Sequence, residues 1–174
     1  DKEALNIRLN TILDSVSSLS LESIPLLDRE EALKVKKIRD NILIGLMEYT
    51  QYEMLDEVVP IDKFATLVAY TKELEKKHEL SVLNFGHAGD GNLHIYVCKD
   101  DLSDERWEVV NKLCMDEMYA KAKSLDGQIS GEHGIGHAKK SYLVDSLGES
   151  QIHLMRGIKH TFDPNNIMNP GKII

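Results

Sequence analysis

The sequence predicts an α+β domain in which helices pack on a small antiparallel sheet. Three observations predict it. Apolar residues recur at three- and four-residue steps through several long segments, as on the inner face of helices. Two short apolar segments with strand-like alternation flank a single glycine-rich turn, so they can pair antiparallel. No internal repeat, low-complexity tract or linker interrupts the 174 residues, so helices and strands belong to one mixed layer architecture.

The elements follow in order. Residues 3–18 read as a helix with Leu5, Leu9, Ile12, Leu13 and Val16 on one face. After a loop carrying Pro25, residues 29–50 read as a longer helix with Val35, Ile38, Ile42, Leu46 and Tyr49 as its buried stripe. Residues 54–59 form a candidate strand ended by Pro60. Asp62 is placed to cap the next helix, whose inner face is Phe64, Leu67, Val68 and Leu74. Residues 80–85 and 93–98 are the two strands around the turn GHAGDGN, with Leu93, Ile95 and Val97 on one face and His94, Tyr96 and Cys98 on the other. A helix over 104–125 runs through Trp107, Val110, Cys114 and Met118 and stops at Gly127. Shorter helices are expected over 138–146 and 149–161, before a tail rich in turn formers.

Composition narrows the function. Hydrophobic residues make up 42% and charged residues 29%, the balance of a soluble globular chain. The net charge of −8 argues against a nucleic-acid binder, which needs a basic face. A few local cations or a metal can still serve an anionic small substrate. Cys98 and Cys114 match no CxxC spacing, so a reduced, cytoplasmic chain is expected. No apolar run reaches membrane-spanning length.

Four of the seven histidines, His87, His94, His133 and His137, lie in or beside two glycine-rich stretches, 86–94 and 131–137. Glu132 stands next to His133. Two imidazoles and a carboxylate suit a divalent first-row metal, zinc or similar, and leave positions open for water or substrate. The spacing does not match HExxH. Each segment alone also has a plain structural reading. GHAGDGN can be a hairpin turn in which Asp90 and Asn92 take positive φ, and GEHGIG can be a helix end followed by a loop. Arg39 falls close to the apolar stripe of its helix, where a snorkelling side chain is the simplest reading. The glycines of 86–91 lack both GK[ST] and GxGxxG, which argues against a nucleotide cradle there.

Three segments in order carry a resemblance: FGHAGDGNLHIYV at 85–97, SGEHGIGHAKKSYL at 130–143 and FDPNNIMNPGKI at 162–173. They resemble the signature segments of the FAD-linked oxidase C-terminal domain family, which includes D-lactate dehydrogenases, the glycolate oxidase flavoprotein subunit and D-2-hydroxyglutarate dehydrogenase. Weaker similarity reaches back through the VVP at 58–60 to the helix of Arg39. The resemblance implies a ferredoxin-like cap over a flavin. FAD would be held mainly by a separate N-terminal domain, and nothing in 1–174 resembles that domain. The first residues look like the helix after the cap's first strand, so one strand is expected to be missing as well.

The resemblance also implies roles. His87, His94 and Glu132 would be the metal ligands, and His133 the catalytic base. Arg39 would bind the substrate carboxylate, and Asn169 would lie near the flavin. Tyr96 stands where some members have a polar substrate contact, and Met54 where some have a lysine; both argue against a second-carboxylate substrate. The implied reaction is oxidation of a 2-hydroxy acid to the 2-keto acid. A metal lowers the hydroxyl pKa, imidazole is suited to take the proton near neutral pH, and hydride passes to the flavin. A cap alone is expected to be inactive and to self-associate, as a dimer, through uncovered apolar surface. The alternative is a non-catalytic metal-binding or interaction domain.

Overall fold

The periodic apolar residues become six helices and three strands in the computed structural model, which describes residues 1–174. The chain divides into two units, Asp1–Glu48 and Tyr49–Ile174.

The first unit is helical. Helix α1 spans Lys2–Val16, started by the Asp1 carboxylate accepting from the amide of Glu3. Helix α2 spans Arg29–Tyr49, and Asp28 accepts from the amides of Glu30 and Glu31 at its start. The buried stripe expected of α2 is not buried apart from Leu46, and the apolar face of α1 is largely open too. In α1, Leu9, Leu13 and Val16 are half-buried, while Leu5 and Ile12 are about 60% exposed. In α2 only Leu46 is buried, and Val35, Ile38, Ile42 and Tyr49 are exposed. The period correctly gave helices; amphipathicity describes a face and does not supply the partner that covers it.

The second unit holds the core. Strand β1 spans Tyr52–Val58, β2 spans Val82–His87 and β3 spans Asn92–Cys98. They form one antiparallel sheet in the order β1-β3-β2, so the α+β expectation holds. One face carries Leu55, Val82, Leu93, Ile95 and Val97, all buried. They pack with Leu67 and Leu74 of α3 (Phe64–His78) and with Trp107, Val110, Cys114 and Met118 of α4 (Asp104–Ser124). Truncating Leu55 or Ile95 to alanine in such a core costs about 2–5 kcal/mol. Helices α5 (Lys140–Leu147) and α6 (Glu149–Phe162) add Leu143 and Ile152. No helix is long and apolar enough to cross a membrane.

Three local expectations need correction. Asp62 caps nothing: it sits inside a 3-10 turn, Ile61–Lys63, and α3 starts after it without a side-chain cap. Strand β1 begins earlier than Met54 and ends before Val59. Strand β2 runs two residues past Phe85, because β3 pairs with it as far as His87↔Asn92. His87 therefore stands on a strand rather than in the turn.

At the end of α4, Asp126 takes positive φ (60°) and the Gly127 amide bonds back to Ala122. A Cβ on Gly127 would lie 2.5 Å from the Val58 carbonyl oxygen. That close approach lets Gln128 and Ser130 run along the outer edge of β1, through bridges Val58↔Gln128 and Asp56↔Ser130. The second glycine-rich stretch is thereby delivered beside the sheet.

Candidate metal centre

The β2–β3 hairpin builds one half of the site. Its turn closes with the Asp90 amide donating to the His87 carbonyl at 3.0 Å. The expected positive φ at Asp90 and Asn92 is not found; Gly91 takes it (φ 74°). Only glycine fits there, since a Cβ would lie 2.0 Å from the Val59 carbonyl oxygen. Asn92 instead begins β3 as a buried residue, its carboxamide donating to Asp56 Oδ1 at 2.8 Å and to the Glu57 carbonyl at 3.0 Å. Pairing of Phe85 with His94 and His87 with Asn92 puts His87 and His94 on the sheet face away from α3 and α4. Their ring centroids are 5.6 Å apart.

The loop after Ser130 builds the other half, and a residue the sequence reading passed over holds it. Asp56 is fully buried on β1, opposite His94. Its Oδ2 accepts from the Ser130 hydroxyl and from three successive amides, those of Gly131, Glu132 and His133, at 2.7–3.0 Å. Burial opposes ionisation of Asp56. The His133 amide, the Asn92 carboxamide, the Glu132 amide and the Ser130 hydroxyl together outweigh it and hold the carboxyl well below its ordinary range. The available signal was an acid inside the apolar stretch MLDEVVP. On the opposite face, buried Glu57 has no hydrogen-bond partner for either oxygen, and burial pushes its pKa up to about 8. Buried Lys139 is pushed the other way, by desolvation of its ammonium.

The two halves meet. Glu132 Oε1 lies 3.0 Å from His94 Nε2 and 3.6 Å from His87 Nε2, and the three ligand atoms all fall within 4.8 Å of one another. Ligands placed about 2.0–2.2 Å from a tetrahedral zinc lie about 3.3 Å apart, so the separations suit one ion. His94 Nε2 is buried without a hydrogen-bond partner despite the nearby carboxylate. A buried ring nitrogen without a hydrogen-bond partner, facing a carboxylate and a second imidazole, fits a divalent cation. The exposed side of Glu132 and His87 leaves room for water or a substrate oxygen on the same ion.

His133 stands beside this group. Its Nε2 is 3.7 Å from Glu132 Oε1, and its ring lies 4.6 Å from that of His94. Asn169 is exposed on the tail, in a left-handed turn (φ 48°) with Lys172 donating to its Oδ1. It borders an apolar groove of about 570 Å³ lined by Met155, Ile158, Met168 and Ile173. The tail is pinned by Asp163, which accepts from the amides of Ile167 and Met168, and by the Ile173 amide donating to Gly136. Arg39 is exposed on α2, in the helical unit. Tyr96 and Met54 are cross-strand partners on the His94 face, and Tyr96 packs edge-on against Tyr52 and Phe85.

The family described as FAD linked oxidases, C-terminal domain, matches residues 1–173. The chain belongs to that family. Among relatives, a D-lactate dehydrogenase of Anaerostipes hadrus is 52% identical over 118 residues, 68% of this chain and 25% of that protein. Glycolate oxidase subunit GlcD of Bacillus subtilis is 37% identical over 145 residues, 83% of this chain and 31% of that protein. A D-2-hydroxyglutarate dehydrogenase of Xanthomonas citri pv. viticola is 40% identical over 146 residues, again 31% of that protein. This FAD-linked oxidase C-terminal domain thus spans between a quarter and a third of the length of these curated relatives.

Proposed function

We propose that this chain is the metal- and substrate-binding portion of a flavin-dependent 2-hydroxy-acid dehydrogenase, whose main FAD-binding domain lies outside residues 1–174. The observation that carries the reading is the convergence of His87, His94 and Glu132, with the His94 Nε2 atom buried and without a hydrogen-bond partner. The hairpin glycines do not offer a phosphate cradle: Gly91 is packed on Val59 and Gly86 on Asn92. The groove beside Asn169 suits the edge of a flat, apolar ring system, which supports contact with a flavin seated mainly elsewhere.

In this reading His87, His94 and Glu132 hold a divalent ion. When bound, such an ion would supply polarisation of the substrate hydroxyl, and FAD would supply the hydride acceptor. His133 takes the hydroxyl proton at an imidazole nitrogen, within reach of any oxygen bound beside Glu132. Arg39 holds the substrate carboxylate and orients Cα. The row Met54, Tyr96 and Leu83 next to His94 carries no cationic side chain to meet a second carboxylate, and Tyr96 is buried, which favours a small monocarboxylate such as lactate or glycolate over a diacid. The free, buried Cys98 and Cys114 suit a reducing compartment, the cytoplasm. The exposed apolar side chains of α1 and α2 suit self-association, for which a concentration-dependent mass in light scattering is the check.

The test is D-lactate- or glycolate-dependent dye reduction by the complete flavoprotein. His94→Ala loses metal and activity together; His133→Ala loses activity and keeps the metal. Equal, small effects of both would sink the assignment and leave a non-catalytic domain.

A further inference from the structure

Resting on the metal reading above, we infer that Asp56 is a positioning residue: its buried carboxylate hangs the Glu132–His133 segment in register with the two histidines of the hairpin. Three successive backbone amides turned toward one point form an anion-binding concavity. Here that concavity, formed by residues 131–133, is filled from within the fold by Asp56 Oδ2, with the Ser130 hydroxyl as a fourth donor.

Asp56 can act this way because it belongs to the sheet. It pairs with His94 across β1 and β3, so one residue fixes the loop relative to the strand that carries the half-buried histidine. Its Oδ1 is held by Asn92 at 2.8 Å. Asn92 is itself the partner of His87 in the hairpin register. The carboxylate therefore ties three things together: the loop, the β3 histidine and the start of the hairpin.

Gly131 supports the same conclusion independently. A Cβ on it would lie 2.1 Å from Asn92 Nδ2 and 3.1 Å from Asp56 Oδ1. The backbone is pressed onto the Asn92 carboxamide, the group that Asp56 Oδ1 holds, as closely as glycine allows. Further along, Gly134 and Gly136 meet open space, so no packing of that kind holds the loop there.

A rival role for Asp56 is direct ligation, since Asp56, His94 and His133 also place ligand atoms within 4.8 Å. The hydrogen bonds argue against it. Oδ2 already accepts four donors, and Oδ1 accepts Asn92 while standing 3.7 Å from His94 Nε2. Glu132 Oε1, by contrast, is at 3.0 Å from that nitrogen.

The experiment uses this chain with Co²⁺ as the probe, comparing wild type, Asp56→Asn, Asp56→Gly and His94→Ala. Asp56→Asn is expected to weaken Co²⁺ binding about 10–100-fold. At saturating metal it should keep the wild-type visible spectrum, because no ligand has been removed. By NMR, the amides of Glu132 and His133 should lose at least about tenfold of their exchange protection, while the Gly131 amide, which also donates to the Asp56 carbonyl at 3.1 Å, and the β-sheet amides stay unchanged. In Asp56→Gly, formate is expected to restore Co²⁺ affinity by refilling the concavity, a rescue that general unfolding would not show. The inference is overturned if Asp56→Asn binds Co²⁺ within about threefold of wild type with the Glu132 and His133 amides unaltered. A changed spectrum of saturated Asp56→Asn overturns it in favour of direct ligation. Should wild type and His94→Ala be equally unable to take up Co²⁺, the metal reading falls, and the amide exchange and its formate rescue alone decide whether Asp56 anchors the loop.

Discussion

The two glycine-rich stretches look alike in sequence and are held by opposite means. In the hairpin, glycine is there for close packing: Gly91 lies against the Val59 backbone and Gly86 against Asn92. In the loop after Gly131, glycine gives a path through open space, with Gly134 (φ 78°) and Gly136 (φ 53°) meeting no neighbour. The hairpin is shaped by contact at Gly86 and Gly91, though not at Gly89, and the loop hangs chiefly on one acid, with Gly131 packed on Asn92 and the Gly136 carbonyl held by the Ile173 amide. Each brings proposed metal ligands to the same point. A site can thus combine a preformed half with a half that must be hung in place, and identical residue composition conceals the difference.

The largest effect expected from this contrast is on metal. His94→Ala removes the half-buried ligand of the rigid half, and a divalent ion should then bind more than about 100-fold more weakly, measured by competition with a chromophoric chelator. His133→Ala, on the hung half but outside the ligand set, should bind within a few-fold of wild type. The next effect is on the fold. Gly91→Ala forces a Cβ onto the Val59 carbonyl in a left-handed backbone, and a loss of about 3 kcal/mol or more in urea unfolding is expected. If it unfolds like wild type, the hairpin is not shaped by that contact.

Below both halves lies Glu57, whose pKa is pushed up to about 8 by burial against an ordinary value of 4.5. The folded protein keeps a proton that the unfolded chain gives up. Stability should therefore fall as pH rises from 4.5 toward 8, by about 1 kcal/mol per pH unit, and level off above. Glu57→Gln should remove that slope. The smallest effect is on the open half: Gly134→Ala pays only the left-handed backbone cost, about 1–2 kcal/mol, with no steric clash. A Gly134→Ala loss matching that of Gly91→Ala would erase the distinction between the two stretches.

Much of this was legible beforehand, and the reasons differ by element. Alternation in LHIYVC placed Leu93, Ile95 and Val97 on the core face, because a strand fixes sidedness with period two. The histidines and Glu132 stood out because imidazole and carboxylate are unusual company for so many glycines. Asp56 did not, because its importance comes from amides seventy-odd residues away, and backbone donors leave no mark in a sequence. Register was likewise invisible: that β2 continues to His87 depends on what β3 offers it. The exposed stripe of α2 shows the reverse failure, a pattern read correctly as helix and wrongly as burial.

The central place of β3 in the sheet has a kinetic consequence. Its backbone is bonded to a neighbour on each side, so His94 is released only when the whole sheet comes apart. Glu132 is released by the far smaller event of a loop swinging clear of its anchor. Ion exchange is then decoupled from unfolding. A strong chelator should strip the metal from protein that is still native by circular dichroism, and a fresh ion should reload it without a refolding step.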